Sequence, residues 1–526
     1  MLTLNPWITA IEEEGAFAVL DKALALKARG APVINLGIGQ PDFPPPGHVL
    51  DAATRAARDG PHGYTSPVGI VPLREAVADH LNTRYRTAVD PDQVVIVPGG
   101  KVTFYFACLL FGGPGAEILY PDPGFPPYRH AIGSGGAVAV PYPIREERDF
   151  GFDADEILSL ITPNTRLLMV NSPANPTGGV VTRAELERLV AGLADHPQVA
   201  VLSDEIYSHL VFEGADFASL TTFPEIADRL ILLDGWSKTF AMTGWRLGYG
   251  VWPKRLVEHV RKLVTVDHSC VNGVAQMAGL AAITGPMDEV RRMAEVFARR
   301  RDLVVDGLNR LPGVSCRMPG GAFYAFPNVR GTGIGSRELA RRLLEEAHVA
   351  LVPGEGFGDN GRGFLRVSYA ASTAEIEEAL GRMAKFLAEH TQPAAHHHTV
   401  AETHHRLGKG VQPIVQPVLG FEEPVGIIVH HAVGRVILHH GAIQRLNVAA
   451  GAERAAKHPE PGTGLNLDLS SRDATVCGLA DAVGQDVRIG AALRALDEPK
   501  PDLRIVSTHL RDHPGDVRLG NGVADD

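Results

Sequence analysis

Within the stretch GWSKTFAMTGWRLGYG, Gly235 to Gly250, a lysine follows small polar residues at the end of an apolar run, and an arginine stands eight residues further on. A lysine amine can form an imine with a carbonyl compound, which is what an aldehyde cofactor requires of its protein. An arginine close by can grip a phosphate through two parallel hydrogen bonds. A lone Ser-Lys pair is far more often a solvated surface lysine, so the weight rests on the whole string and not on Lys238 alone. Further chemically suggestive residues follow other short apolar runs: Gly99-Gly100-Lys101, Asp122, Asn171 to Asn175, and Asp204. The Gly-Gly-Lys triplet is no P-loop, because the first glycine of that motif would have to fall on Val95.

The elements that must position these residues are legible as alternation. Strand candidates are Val94 to Val97, Glu117 to Tyr120, Leu167 to Val170, Val199 to Ser203, Leu230 to Leu233 and Gly248 to Val251. Most are short and rich in β-branched or aliphatic residues, as buried strands of a largely parallel sheet are. Helical patterns lie between several of them, such as Arg183 to His196, with Thr182 as its N-cap. Such alternation implies an α/β sheet covered by helices, with ligands beyond the carboxyl ends of its strands. The pattern predicts a large domain over 48–290. It then changes to a long charged helix, Met293 to Asn309, followed by GVSCRMPGGAFYAFPNV and a helix, strand and helix. That implies a smaller α+β domain over 291–390, joined by an N-terminal segment, 1–47.

Residues 391–526 differ in kind, holding twelve of the chain's 22 histidines. VGIIVHH and GRVILHH read as strands there; otherwise periodicity is scarce. The histidine spacing matches no metal motif, so no metal is expected. The stretch reads as a non-catalytic extension of unknown structure, either disordered or a readthrough that never evolved as a domain.

Bulk properties exclude whole classes of function. The 526 residues carry a formal charge of -11 with 45% hydrophobic and 21% charged residues, an ordinary globular composition. No basic surplus exists to neutralise nucleic-acid phosphates. The longest apolar candidate for a membrane helix, FYFACLLF, stops at Gly112-Gly113-Pro114. The N-terminus shows neither a basic nor an apolar signal region. Cys108, Cys270, Cys316 and Cys477 form no CxxC pair and read as reduced thiols, so a cytoplasmic protein is expected.

SKTFAMTGWRLGY resembles the cofactor-lysine signature of class I/II aminotransferases, the aspartate and aromatic group of the fold-type I pyridoxal-phosphate enzymes. VINLGIGQPDFPPP, YTSPVGIVPLREAVA, VPGGK, NSPANPTGG, SDEIY, GGAFYAFPNV and FLRVSYA match further family strings in the expected order, over about residues 5 to 388. The resemblance implies a large domain with a mostly parallel seven-stranded sheet and a smaller α+β domain. It also implies pyridoxal 5'-phosphate as cofactor, with Lys238 as the Schiff-base residue and proton shuttle. Asp204 would pair with the pyridinium nitrogen and keep it protonated. Tyr207 and Asn175 would hydrogen-bond the ring's phenolic oxygen, which lowers the pKa of the imine nitrogen. Phe125 would stack on the ring. Gly100 and Lys101 would open a helix toward the phosphate, with Ser237 and Arg246 completing the grip. Many relatives carry serine where this chain has Gly235, so one hydroxyl donor is lost. Arg366 would fork onto the substrate α-carboxylate, a task for which lysine is a poor substitute. Gly39 would let the N-terminal loop approach that carboxylate. Tyr64 would reach the neighbouring subunit's phosphate, which implies a homodimer with shared sites.

The implied reaction is ping-pong transamination: an L-amino acid gives its amino group to the cofactor and leaves as a 2-oxo acid, and a second 2-oxo acid takes the group back. A lyase or decarboxylase would share Lys238 and Asp204, whereas Arg366 favours transamination. A non-catalytic cofactor-binding regulator finds no helix-turn-helix here. If Glu12-Glu13-Glu14 line the pocket, they would repel a dicarboxylate, which leans the donor toward neutral or aromatic amino acids, with 2-oxoglutarate or pyruvate as acceptor. Aspartate stays open, being a common donor among relatives.

Overall fold

The structure, a computed structural model, describes residues 2–4, 6–9, 11, 15–390, 428–430 and 435–437. Helix α1 (Gly15–Ala28) leads into a two-residue strand, β1 (Ile34–Asn35). Helix α2 (Val71–Tyr85) precedes β2 (Val94–Val97), whose four side chains are all buried. Then come α3 (Lys101–Phe111), β3 (Glu117–Asp122), α4 (Pro127–Ser134), β4 (Val138–Pro143) and β5 (Thr165–Asn171). Helix α5 (Arg183–Leu193) buries Leu186, Leu189, Val190 and Leu193 along one stripe, and Thr182 Oγ1 accepts from Glu185 N at 3.3 Å as its N-cap. It stops three residues short of the expected His196. Strands β6 (Ala200–Asp204), β7 (Leu230–Gly235) and β8 (Gly248–Val251) complete a seven-stranded sheet of order β2-β8-β7-β6-β5-β3-β4.

Only β8 runs antiparallel to its neighbours β2 and β7; the remaining pairs are parallel. All six strand candidates lie in this sheet. The seventh strand, β4, does not stand out as an apolar run, because its sequence VAVPYP holds two prolines and begins with an exposed valine. Both features are tolerated at a sheet edge, and the edge is where β4 sits.

The long helix α6 (Asp288–Asn309) begins five residues before the expected Met293, with Asp288 and Glu289 in its first turn complementing the helix dipole. Beyond it, β9 (Tyr324–Ala325), helix α7 (Ser336–Glu346), β10 (Val349–Ala350), β11 (Val352–Pro353), β12 (Leu365–Ser368) and helix α8 (Thr373–His390) follow. Strands β11, β12 and β9 form an antiparallel sheet, and β10 pairs in parallel with β1. Leu36 N donates to Ala350 O and Ser368 N to Leu36 O, so the N-terminal loop is stitched to this second layer. One buried cluster there joins Phe297, Phe323, Tyr324, Val349, Leu365 and Ile376. No helix among the described residues is long and apolar enough to cross a membrane.

The chain divides into two compact units, 1–396 and 397–526. In the second, Ile428–His430 and Arg435–Ile437 pair antiparallel, within the two stretches read as strands. The remaining expectations for the extension, and the Glu12 to Glu14 run, lie outside the described residues.

Candidate active site

Four parallel strands end on the same edge of the sheet, at Asp122, Asn171, Asp204 and Gly235. A cavity of about 510 Å³ holds eleven of the twelve predicted residues: Gly39, Gly100, Lys101, Phe125, Asn175, Asp204, Tyr207, Ser237, Lys238, Arg246 and Arg366. A larger depression of about 800 Å³, lined by His80, Arg84 and His209 among others, holds none of them. The twelfth, Tyr64, lies outside the cavity of its own chain and is 93% exposed.

At one end of the cavity, glycines bring the backbone close. After β2 the chain turns at Gly99, φ +95°, and α3 opens at Lys101. A Cβ on Gly99 would fall 2.1 Å from Arg246 Nη2, and one on Gly248 would fall 2.6 Å from Gly100 N. Arg246 also donates from Nη1 to Thr243 O at 2.8 Å. An arginine and the N-terminal end of a helix thus converge, which is an anion site. Gly235 has a physical reason here: its Cβ would stand 2.7 Å from Gly248 Cα. At this one position the backbone of β8 presses too closely on β7 for a side chain to fit.

Deeper in, Asp204 is buried at the end of β6. Its Oδ2 accepts from Tyr128 Oη at 2.6 Å and its Oδ1 from Ile206 N at 3.2 Å. Burial pushes its pKa up to about 6, against the hydrogen bonds and the Lys238 charge that draw it down. A carboxylate in this position gains by pairing with a cation. Phe125 lines the same cavity, with Lys101 Nζ 4.9 Å from its ring centre. Lys238, in the short helix Trp236–Thr239, donates from Nζ to Gly39 O at 2.6 Å and lies 5.9 Å from the centre of the Tyr207 ring.

On the far side Arg366, only 2% exposed, rises from β12. It donates to two neutral oxygens, Asn175 Oδ1 at 2.9 Å and Gly37 O at 2.6 Å, and its Nε has no hydrogen-bond partner among the described residues. A buried guanidinium so held is short of a counter-anion, and a carboxylate entering the cavity would supply one. Asn175 is fixed in turn by its N–H, which donates to Asn171 Oδ1 at 3.0 Å. Gly39, expected to let the N-terminal loop approach the substrate carboxylate, lines this cavity. A Cβ on Gly39 would stand 2.1 Å from Tyr324 Oη, so only glycine leaves room for that hydroxyl.

Several cavity residues were not singled out from the sequence: Tyr128, Tyr324, Ile206, Phe17 and Leu20. Tyr128 stands three residues after Phe125 and Tyr324 stands inside GGAFYAFPNV, but their roles are contacts across the fold. Helical spacing was the only available signal for Phe17 and Leu20.

An anion cradle, a buried acid, a lysine and a buried arginine on one cavity fit pyridoxal phosphate with an amino-acid substrate, on a fold-type I scaffold. The profile of the family "Aminotransferase class I and II" matches residues 31–383, and the chain belongs to that family. It is 40% identical over 393 residues to an aspartate aminotransferase of Streptomyces avermitilis, covering 73% of this chain and 96% of that one. Among solved structures, the aspartate aminotransferase from Rhizobium meliloti superposes with a TM-score of 0.71 at 34% identity, covering 74% of this chain and 99% of the other. An alanine aminotransferase from Pyrococcus furiosus gives 0.70 at 32%, covering 74% and 100%. The protein is a pyridoxal-phosphate-dependent aminotransferase. These relatives are transaminases by name, and nothing in them supports the lyase or regulator readings.

Proposed function

We propose that the protein moves an amino group from L-aspartate to a 2-oxo acid, with Lys238, Asp204 and Arg366 as its working residues, in a cytoplasmic homodimer. The observation that carries the residue assignment is the convergence of Lys238, Asp204 and Arg366 on one cavity. When bound, pyridoxal phosphate supplies an aldehyde that exchanges amines and a ring that spreads the electron pair left at the substrate Cα. Lys238 holds the cofactor through its amine and, once displaced, moves the proton taken from the substrate Cα. Asp204 keeps a proton on the ring nitrogen, and Tyr128 steadies the carboxylate through its hydroxyl. Tyr207 and Asn175 donate to the ring's phenolic oxygen. Arg246, Ser237 and the start of α3 hold the phosphate, and Phe125 covers the ring. Arg366 binds the substrate α-carboxylate and in doing so turns the substrate so that its Cα hydrogen faces Lys238.

Aspartate as donor is supported by the names of the relatives and by Lys101, a further cation on the cavity wall. A second reading, a neutral or aromatic donor, is favoured by Phe17, Leu20 and Ile38 on the same wall. The dimer rests on Tyr64, which is exposed and stands outside its own cavity; the free thiols of Cys108, Cys270 and Cys316 agree with a reducing compartment. The same reading divides the enzyme into 48–290 and 291–390, joined by 1–47.

An absorbance titration tests the function. The cofactor band should shift on adding aspartate and return on adding 2-oxoglutarate, with turnover abolished in Lys238→Ala. A phenylalanine kcat/KM above that for aspartate would favour the second donor reading. Near wild-type turnover in Lys238→Ala would sink the lysine assignment.

A further inference from the structure

Tyr324, on β9 and only 1% exposed, touches residues on both sides of the site. Its Oη lies 2.9 Å from Tyr207 Oη. The Arg366 guanidinium stands 4.7 Å from its ring centre, and the rings of Phe323 and Tyr207 lie 4.8 and 5.8 Å from its own. The missing side chain of Gly39 leaves the space that its hydroxyl fills. Held on these sides, the ring cannot carry its oxygen away from Tyr207; only the hydroxyl hydrogen can turn.

Of two touching hydroxyls, one donates and the other accepts. Tyr207 has a single hydroxyl hydrogen. An anionic oxygen in front of it takes that hydrogen, because a charge-assisted bond is the stronger one. Tyr207 Oη is then left to accept, and Tyr324 is placed to donate to it. Bonds linked in this way polarise one another. We propose that Tyr324 is a positioning residue that donates to Tyr207 Oη and thereby strengthens the hydrogen bond Tyr207 gives to the cofactor's phenolic oxygen. This rests on the role proposed above for Tyr207. The charged and titratable groups around Tyr207 are Asp204 on β6, Tyr128 on α4, Lys238, Arg366 on β12 and Tyr324 itself.

The consequence is spectroscopic. Donation into the phenolic oxygen weakens its hold on the proton at the Lys238 nitrogen, so that proton leaves at lower pH. The readout is the pH midpoint at which the bound cofactor's absorbance band changes in the holoenzyme. Tyr207→Phe should raise it. Tyr324→Phe, which removes one oxygen and adds no bulk, should raise it by a smaller step, roughly 0.3 of a pH unit, if one bond polarises the next by a fifth or so. In the Tyr207→Phe background, Tyr324→Phe should add nothing. An unchanged midpoint in Tyr324→Phe, with Tyr207→Phe shifted, overturns the proposal and leaves the reading of Tyr207 standing. An equal shift in both backgrounds also overturns it, since Tyr324 would then act by another route. If Tyr207→Phe itself leaves the midpoint unmoved, the reading of Tyr207 fails and the proposal fails with it.

Discussion

Arg366 shows how much of the chemistry is decided by single side chains. Its guanidinium is buried, its two bonded partners are uncharged oxygens, and the aromatic faces of Tyr324 and Phe357 lie 4.7 and 4.8 Å from it. Those contacts orient a charge without neutralising it, which suits a group that must receive a carboxylate and release it on every cycle. Lysine could keep the charge but not the planar fork. Arg366→Lys should therefore lower kcat/KM by roughly 10- to 100-fold, the worth of one charge-assisted hydrogen bond, with most of the loss in KM. Steady-state kinetics with aspartate decide it; unchanged kcat/KM would remove Arg366 from the carboxylate site. At this scale the sequence was informative where a residue stood in a distinctive string, as Lys238 and Asp204 do. It was silent where a role is a contact: Tyr128 meets Asp204 from 76 positions away, and Tyr324 meets Tyr207 from 117. No local pattern encodes such a meeting.

Elements set the electrostatics behind the site. The chain after β6 places Asp204 toward the cavity and its neighbour Glu205 into a separate buried group with Asp234 of β7 and Arg84 of α2. Glu205 Oε1 accepts from Ser203 Oγ at 2.8 Å and Leu220 N at 3.0 Å, while Oε2 has no hydrogen-bond partner among the described residues. Ser208 Oγ donates to Asp234 Oδ2 at 3.0 Å, and Arg84 Nη2 to Ser208 O at 2.7 Å. Burial pushes the pKa of Glu205 up to about 7 and that of Asp234 likewise. A carboxyl raised in the folded state holds its proton longer there than in the unfolded chain. Its contribution to stability is whole below the unfolded value and is lost as pH rises through the folded one. Glu205→Gln stays uncharged throughout. Its melting temperature relative to wild type should thus climb between about pH 4.5 and 7, a window set by the unfolded value of 4.5 and the folded value of about 7. Paired melting curves across that range test it, and a difference flat in pH would show that Glu205 ionises normally in the fold. The strands themselves were legible as apolar runs; β4 was not, since an edge position relaxes the very composition by which buried strands are recognised.

The whole molecule enters through Tyr64. It stands in a segment whose string matches the family, yet it is 93% exposed and takes no part in the cavity of its own chain. If the proposed dimer shares its sites, lesions at residues 64 and 238 of one chain fall in different active sites. Consider a dimer of one Tyr64→Ala subunit and one Lys238→Ala subunit, isolated by two different affinity tags. Under sharing, the site built on the intact Lys238 receives the intact Tyr64 of the other chain, while the second site carries both lesions. Without sharing, the intact Lys238 sits beside its own altered residue 64. Cofactor affinity at the working site distinguishes the two arrangements, because only the first has the full set of phosphate contacts. The mixed dimer should therefore bind pyridoxal phosphate at its active site as tightly as wild type, with half as many active sites per dimer. The Tyr64→Ala homodimer should bind it more weakly at both. Turnover measured against cofactor concentration reads this directly, and a mixed dimer as weak as the Tyr64→Ala homodimer would confine Tyr64 to its own chain.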